Sequence, residues 1–407
     1  MLKIEQGAEL ARFTTLGTGG PARAFARPES VEELEEALHF ARDQGLEVAT
    51  VGLGSNLLVA DDGVDGLVLK LAGDLAQSEV VGELLIAGGG AANAVCLHRT
   101  RAAGLGGFEF ACAIPGTTGG GVWMNAGAYG SDWAAILERA LVVAADGSAW
   151  RTAEELGLSY RHSELRHGQV VARVEFRLTP KPADEIKVTI ADLQAQRKAA
   201  QPTNKRTYGS VFKNPEHELS AGRMLEACGL KGHRIGGAQI SPRHANFIEN
   251  AGDARSADAV ALMVEARRRA HVEYGVGLEH EVEFLGAVDL DALQREHRRP
   301  ACQCIESSSE QDQGGADQKG AAGRNEPEQV HASAASNCPR QRQDLVGHLA
   351  DYAAPGTGPT SSAQGVRWRR GTPPRAPARR RTRRVPAGDP RPSARQRRPN
   401  GRLRRSR

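Results

Sequence analysis

From Phe110 to Ser131 the chain carries no charged side chain, and six residues of ACAIPGTTGGGVWMNAGAYG (111–130) are glycine. About 20 apolar residues are enough to cross a bilayer, so a membrane span is the first reading to test. Composition excludes it. The glycines, Pro115, Asn125 and several hydroxyls would leave backbone polar groups unpaired in lipid, where only a regular helix or a closed barrel satisfies them. The segment is therefore expected to be irregular backbone buried inside a folded protein. So many glycines imply positive φ angles or main chain pressed against a ligand.

The 407-residue chain has room for two or three domains, and its modest net charge of +4 conceals two different polymers. From residue 301 onward Lys and Arg number 21 against 9 Asp and Glu, a surplus of 12 that leaves the first 300 residues eight charges negative. Those 300 residues alternate β-branched runs, glycine turns and helical patterns, enough for a substantial core. The remainder, Gln/Ser/Gly-rich and then Arg/Pro/Gly-rich, has too few aliphatic residues to offset its ordering entropy, so 296–407 reads as a disordered tail. Phosphate contacts would let such a tail bind nucleic acid or anionic lipid. No aromatic or structural motif accompanies the charge, which favours an unselected extension, a shifted reading frame included. Cys96, Cys112 and Cys228 stand singly and Cys302, Cys304 and Cys338 belong to the tail, so neither a zinc site nor a disulfide framework is expected. The N-terminal MLKIEQGAELARF lacks the apolar core of a signal peptide, and a cytoplasmic location follows as an expectation.

Periodicity supplies the elements. Ser30 with Glu33 makes a capping box before a helix over 30–44 that stops at Gly45. Strands are expected at 48–51, 66–71, 84–87, 140–145, 170–178 and 245–249, and helices at 91–103, 184–200, 219–228 and 256–273. The first half of 184–200 also suits a strand. Gly52-Leu53-Gly54 resembles the start of a dinucleotide fingerprint, but no third glycine and no helix follow, so a Rossmann site is excluded. The GLGSN loop can still hold phosphate on backbone N–H groups and the Ser55 hydroxyl. Pro180 and Pro182 mark a boundary. The fold class is α+β, with domains at 1–182 and 183–295 and the first of these split near residue 71.

Three uncharged, glycine-rich turns, 14–22, 52–59 and 114–120, offer bare main chain and small hydroxyls at separate points. Together they suit a long cofactor such as a flavin dinucleotide, which needs a diphosphate cradle and hydrogen bonds around its ring. In chain order TTLGTGGPA, GLGSNLLVADDG, GFEFACAIPGTTGGGVWMNAGAYG, SYRHSEL, YGSVFKNP, GGAQISPRHANFIEN and GLEHEVEFLG, spanning about residues 12 to 287, closely resemble the UDP-N-acetylenolpyruvoylglucosamine reductase family of cytoplasmic peptidoglycan synthesis. The resemblance implies a two-subdomain FAD-binding domain of the vanillyl-alcohol-oxidase type and a smaller α+β substrate domain whose last strand returns to the active site. It also implies NADPH as hydride source and a nucleotide-sugar enol ether as acceptor. Cofactor positions carried over are Gly52, Gly54, Ser55, Asn56, Leu57, Pro115, Gly116, Thr117, Gly119, Gly120 and Asn125.

Reduction of an enol ether leaves negative charge delocalised into the neighbouring carboxylate, which needs a cation to stabilise it and an acid to protonate the α-carbon. The resemblance assigns Arg161 the stabilising role, Ser210 the proton donation and Glu281 the third catalytic position, with Glu279 as the rival carboxylate. By residue type alone Arg161 would read as a surface ion pair, Ser210 as a turn cap and Glu281 as the face of an edge strand. For the substrate, Lys213, Lys231 and Arg243 are available to the diphosphate, Asn214 and His244 to sugar or uracil, and Tyr160 flanks flavin or substrate. A metal is not expected. About fifty residues separate Tyr160 from Ser210, as in the shorter subclass without an inserted tyrosine lid loop, and Ala113 stands where the family often has glycine. Two rival readings remain: another FAD oxidoreductase on the same scaffold, and a binding module whose basic tail is the working part.

Overall fold

A computed structural model describes residues 2–288 and 290; the expected disordered tail lies outside the described residues. Helix α1, Val31–Gln44, starts where Ser30 accepts a hydrogen bond from the Glu33 N–H and ends at Gly45 in the left-handed region. The capping box is only half formed, because Glu33 reaches one residue beyond the cap and accepts from the Glu29 N–H at 2.9 Å. The helix buries Leu34, Ala37, Leu38 and Ala41 against a mixed sheet ordered Ile4–Glu5, Pro21–Ala26, Val64–Leu69, Glu47–Thr50, with Ala8–Glu9 also paired to Pro21–Ala26. A second, antiparallel sheet runs Gly147–Arg151, Leu137–Ala144, Val170–Arg177, Leu84–Gly88, Ser78–Val81. Its core is aromatic, with Trp133 fully buried and edge-on to Phe108, Phe110 and Phe176.

The uncharged stretch departs from the expected irregular backbone. After a 3₁₀ turn at Glu109–Ala113 and helix α2, Asn93–Ala102, earlier in the chain, residues Thr118–Trp123 form a short α-helix, α3, capped by the Thr117 hydroxyl. Close approach rather than positive φ explains two of its glycines. A Cβ on Gly119 would lie 2.8 Å from the Gly89 carbonyl oxygen, and one on Gly121 would lie 2.5 Å from the Trp133 indole. Packing against sheet and ring outweighs the ~1 kcal/mol helix penalty of each glycine.

Helix α4, Ala183–Ala200, resolves the helix-or-strand ambiguity. Ile186, Val188 and Ile190 alternate as in a strand, yet Ile186 and Ile190 are buried on one helical face while Val188 is 60% exposed. A four-stranded antiparallel sheet follows, ordered Thr207–Ser210, Phe247–Asn250, Ala238–Ile240, Arg234–Ile235. It packs with α5, Ala221–Ala227, and α6, Ser256–Tyr274, around Met224, Leu262 and Met263. The final strand, Glu283–Leu285, pairs in parallel with Leu57–Val59. No helix among the described residues is long and apolar enough to cross a membrane. We predict that Gly121→Ala, which must displace the Trp133 ring, destabilises the protein by about 1–3 kcal/mol, whereas Gly277→Ala, with open space around it, leaves the thermal midpoint unchanged in a melting experiment.

Candidate active site

The cavity is built from loops that the sheets leave at their edges. Its volume is about 940 Å³, and its walls include Gly52–Leu57 on one side and Ala113–Thr117 with Gly119 and Gly120 on another. The Ser55 hydroxyl donates to the Pro115 carbonyl and joins the two walls. They approach so closely that a Cβ on Gly52 would fall 2.6 Å from the Thr117 hydroxyl oxygen. Two of the three glycine-rich turns therefore face one space. The third, 14–22, stands behind the first wall, where Thr15 donates its hydroxyl to the Gly54 and Thr207 carbonyls at 3.0 and 2.7 Å. Its Gly19 and Gly20 make room for Val59 and for the Asp61–Gly63 backbone.

The walls suit a long anionic cofactor. Among the described residues, the backbone N–H groups of Gly52 to Asn56, Gly116 and Thr117 find no protein acceptor, and Gly54 adopts φ +64 within that run. Consecutive unpaired N–H groups of this kind form an anion-binding concavity. Asn93 in the lining leaves its buried Oδ1 without a partner. The charged side chains of the lining are Lys70, Arg161 and Arg197 against Glu281 and Glu283. Lys70 donates to the Gly52 carbonyl, and burial, aided by Arg27, holds its ammonium below the usual lysine range. These residues fit FAD: a phosphate cradle in one wall, donors and an acceptor around the rest.

The three catalytic candidates converge beside this space. Arg161 sits in the Ser159–His162 turn with φ +53. Its Nε donates to Glu281 Oε1 at 2.8 Å and its Nη2 to the Gly127 carbonyl at 2.7 Å, leaving Nη1 without a protein partner among the described residues. Glu281 is held through its backbone: its N–H donates to the Val211 carbonyl at 2.8 Å, and its carbonyl accepts from Asn56 Nδ2 at 3.0 Å. Ser210 ends the Thr207–Ser210 strand opposite Phe247, and it too lines the cavity. Burial pushes the Glu281 carboxyl above the ordinary carboxylate range, against the opposing pull of Arg161 and Lys213. Its rival Glu279 pairs with Lys213 and is 68% exposed, against 18% for Glu281.

The remaining expected residues stand elsewhere. Asn125 is buried behind the wall with its side chain wholly engaged by protein. Lys213 and Lys231 are paired with Glu279 and Glu226, and Asn214 Oδ1 caps the Ala221 N–H. His244, its basicity lowered chiefly by burial, accepts from the Asn246 N–H and packs against Phe247. Tyr160 is 54% exposed beneath the Arg161 guanidinium. None of these six lines the cavity. Residues unmarked by the sequence do: Lys70, Tyr129, and the end of α4, Gln196, Arg197 and Ala200, with Gln201 just beyond it. The helical spacing of Gln196, Arg197 and Ala200 was visible, but nothing local told which face meets the cavity.

Residues 22–153 match the FAD binding domain family and residues 201–285 match the family described as UDP-N-acetylenolpyruvoylglucosamine reductase, C-terminal domain. UDP-N-acetylenolpyruvoylglucosamine reductase 2 of Symbiobacterium thermophilum is 41% identical over 286 residues, covering 70% of this chain and 92% of the relative. The Rubrobacter xylanophilus reductase is 42% identical over 280 residues, covering 68% and 93%. The solved reductase of Thermus caldophilus superposes with a TM-score of 0.61 at 37% identity, covering 70% of this chain and 99% of that one. Fold and site together define an FAD-dependent oxidoreductase of α+β class, its flavin domain of the vanillyl-alcohol-oxidase type. The chain belongs to the UDP-N-acetylenolpyruvoylglucosamine reductase family. Removing the tie between the two walls is expected to loosen the cofactor: Ser55→Ala should weaken FAD binding by about 1 kcal/mol, roughly fivefold, read as recovered flavin fluorescence on dilution.

Proposed function

We propose that Arg161, Ser210 and Glu281 carry the reduction of UDP-N-acetylglucosamine enolpyruvate to UDP-N-acetylmuramate, with NADPH as reductant, in cytoplasmic peptidoglycan precursor synthesis. The observation that carries this reading is the half-buried Arg161–Glu281 pair at 2.8 Å, with Ser210 lining the same cavity. FAD, held by the Gly52–Asn56 and Gly116–Thr117 walls, would supply the hydride chemistry that links NADPH to the methylene carbon of the enol ether. The free Nη1 of Arg161 is available to the substrate carboxylate, into which the electron pair of the broken double bond is delocalised. Ser210 gives its hydroxyl proton to the α-carbon and recovers one from solvent. Glu281, whose carboxyl burial holds above the ordinary carboxylate range, in its protonated form donates a hydrogen bond to the developing charge. Lys213, Asn214, Lys231, His244 and Tyr160 then belong to substrate recognition outside the cavity, reached by the nucleotide part of the substrate.

The domain division that goes with this reading is a flavin domain at 1–182, itself divided near 71, and a substrate domain at 183–295. Its support is the separate sheet of 207–250 and the return of Glu283–Leu285 to Leu57–Val59. Nucleic acid has no part in it; the basic segment that would bind it lies outside the described residues.

The test uses the full chain loaded with FAD: NADPH oxidation must depend on the enolpyruvyl nucleotide, and oxidation indifferent to it would point instead to another FAD oxidoreductase on this scaffold. Ser210→Ala is expected to spare flavin reduction by NADPH and to slow reoxidation by substrate about 10²–10⁴-fold; equal damage to both half-reactions would remove Ser210 from the mechanism. Glu281 acts in its protonated form, so reoxidation is fast below its pKa and declines as pH rises through it. Because that pKa is raised, activity should persist to higher pH than an ordinary carboxyl would allow, and Glu281→Gln should flatten this limb of the pH profile.

A further inference from the structure

Four non-glycine residues of the described chain have positive φ: Asn125, Tyr129, Arg161 and Asp253. Three of them meet in one small assembly. Left-handed backbone disfavours residues with a Cβ by roughly 1–2 kcal/mol each, and it persists only where the surroundings over-determine it. The assembly has two parts that grip Arg161 from opposite sides. One is the Ser159–His162 turn that carries it. The other is the hairpin of Gly127–Ala128 with Ser131–Asp132, whose Gly127 carbonyl accepts from Arg161 Nη2.

Asn125 joins these two parts. Its Nδ2 donates to the Ser159 carbonyl at 2.8 Å and to Asp132 Oδ2 at 3.3 Å, while its Oδ1 accepts from the Ala134 N–H at 2.9 Å. The residue is 1% exposed and stands at φ +38. Asparagine is suited to both demands, since it tolerates the left-handed region and carries donors and an acceptor on one planar group. Aspartate offers no donor and glycine no side chain.

From this geometry we infer that Asn125 is a positioning residue for Arg161: it clamps the Arg161 turn to the hairpin that receives the guanidinium, and thereby sets where the substrate carboxylate is gripped. The inference rests on the reductase reading, although the clamp itself has a readout independent of it. Without the clamp, Arg161 is free to leave both the Gly127 carbonyl and Glu281. The groups facing Glu281 are Arg161 and Lys213, with His280, Glu279 and Glu283 beside it on its own segment; Arg161 favours the charged carboxylate. Displacing Arg161 must therefore raise the Glu281 pKa further.

Two variants of the FAD-loaded full chain test this. Asn125→Asp keeps the shape and loses the donor, setting a carboxylate against Asp132 and the Ser159 carbonyl. Asn125→Gly relieves the backbone strain and deletes the clamp, which guards against a variant that merely fails to fold. Both should slow flavin reoxidation by the enolpyruvyl nucleotide about 10–100-fold, leave flavin reduction by NADPH within about twofold, and shift the declining limb of reoxidation to higher pH. A crystal structure of Asn125→Gly should show Arg161 Nη2 away from the Gly127 carbonyl. An unmoved Arg161, an unshifted limb, or equal loss in both half-reactions together with a lowered melting point would overturn the inference. Nucleotide-independent NADPH oxidation by the unaltered enzyme would overturn the reductase reading instead, and the position of Arg161 in Asn125→Gly would still decide the clamp.

Discussion

The parallel pairing of Leu57–Val59 with Glu283–Leu285 is the joint on which the site depends. The N–H of Glu283 donates to the Asn56 carbonyl and that of Ala60 to the Leu285 carbonyl, while Asn56 Nδ2 holds the Glu281 carbonyl across 225 positions of sequence. The same loop whose N–H groups stand unpaired along one wall thus fixes the backbone of the carboxylate across the cavity. Parallel strands need a long crossover, and here the connection is the whole of the second sheet and the C-terminal lobe. Closing so long a loop is entropically costly, and the apolar contacts of Leu58 and Val282 with the C-terminal core help offset it.

Electrostatics at the joint contribute little to stability. A part-buried ion pair regains little over its desolvation, and Glu281 shows the conflict directly: burial raises its pKa while Arg161 opposes the rise. Arg161 is moreover held on a strained backbone at φ +53. Strain and an unsatisfied Nη1 at one residue suit the role proposed for it, a guanidinium prepared in advance for an anionic ligand, as preorganised sites lower a barrier without reorganising during the reaction.

Local signals carried much of the fold. The Ser30 cap, the glycine stop at 45 and the 3.6-residue apolar spacing placed α1 within a residue, and apolar runs placed the strands of 84–88 and 170–177. The signals failed where an element owes its form to a distant neighbour. The glycines of α3 looked like loop because the reason for them, the Gly89 backbone and the Trp133 ring, lies elsewhere in the chain. The strand at Thr207–Ser210 has no alternation of its own and exists by pairing with Phe247–Asn250. In the site, the glycine loops and the Arg161, Ser210 and Glu281 motifs were legible, while Lys70 and the α4 face were silent. Asn125, read as a cofactor contact, has its side chain engaged by Ser159, Asp132 and Ala134.

The sequence by itself determined that the uncharged, glycine-rich segments fold into an α+β framework and that its motifs are those of a flavin-dependent reductase, because backbone freedom, apolar periodicity and residue chemistry are properties each residue carries with it. Only the tertiary structure decided which of those residues share a cavity, since the turn 14–22 supports the wall that 52–57 forms and five candidate substrate residues pair with protein instead. It also gave the preference for Glu281 over Glu279, taken from the motif, its physical ground by bringing Glu281 to Arg161. Two carboxylates two residues apart are alike in sequence; burial beside a guanidinium at one, and exposure beside Lys213 at the other, is a difference that exists only once the last strand has returned to Leu57–Val59.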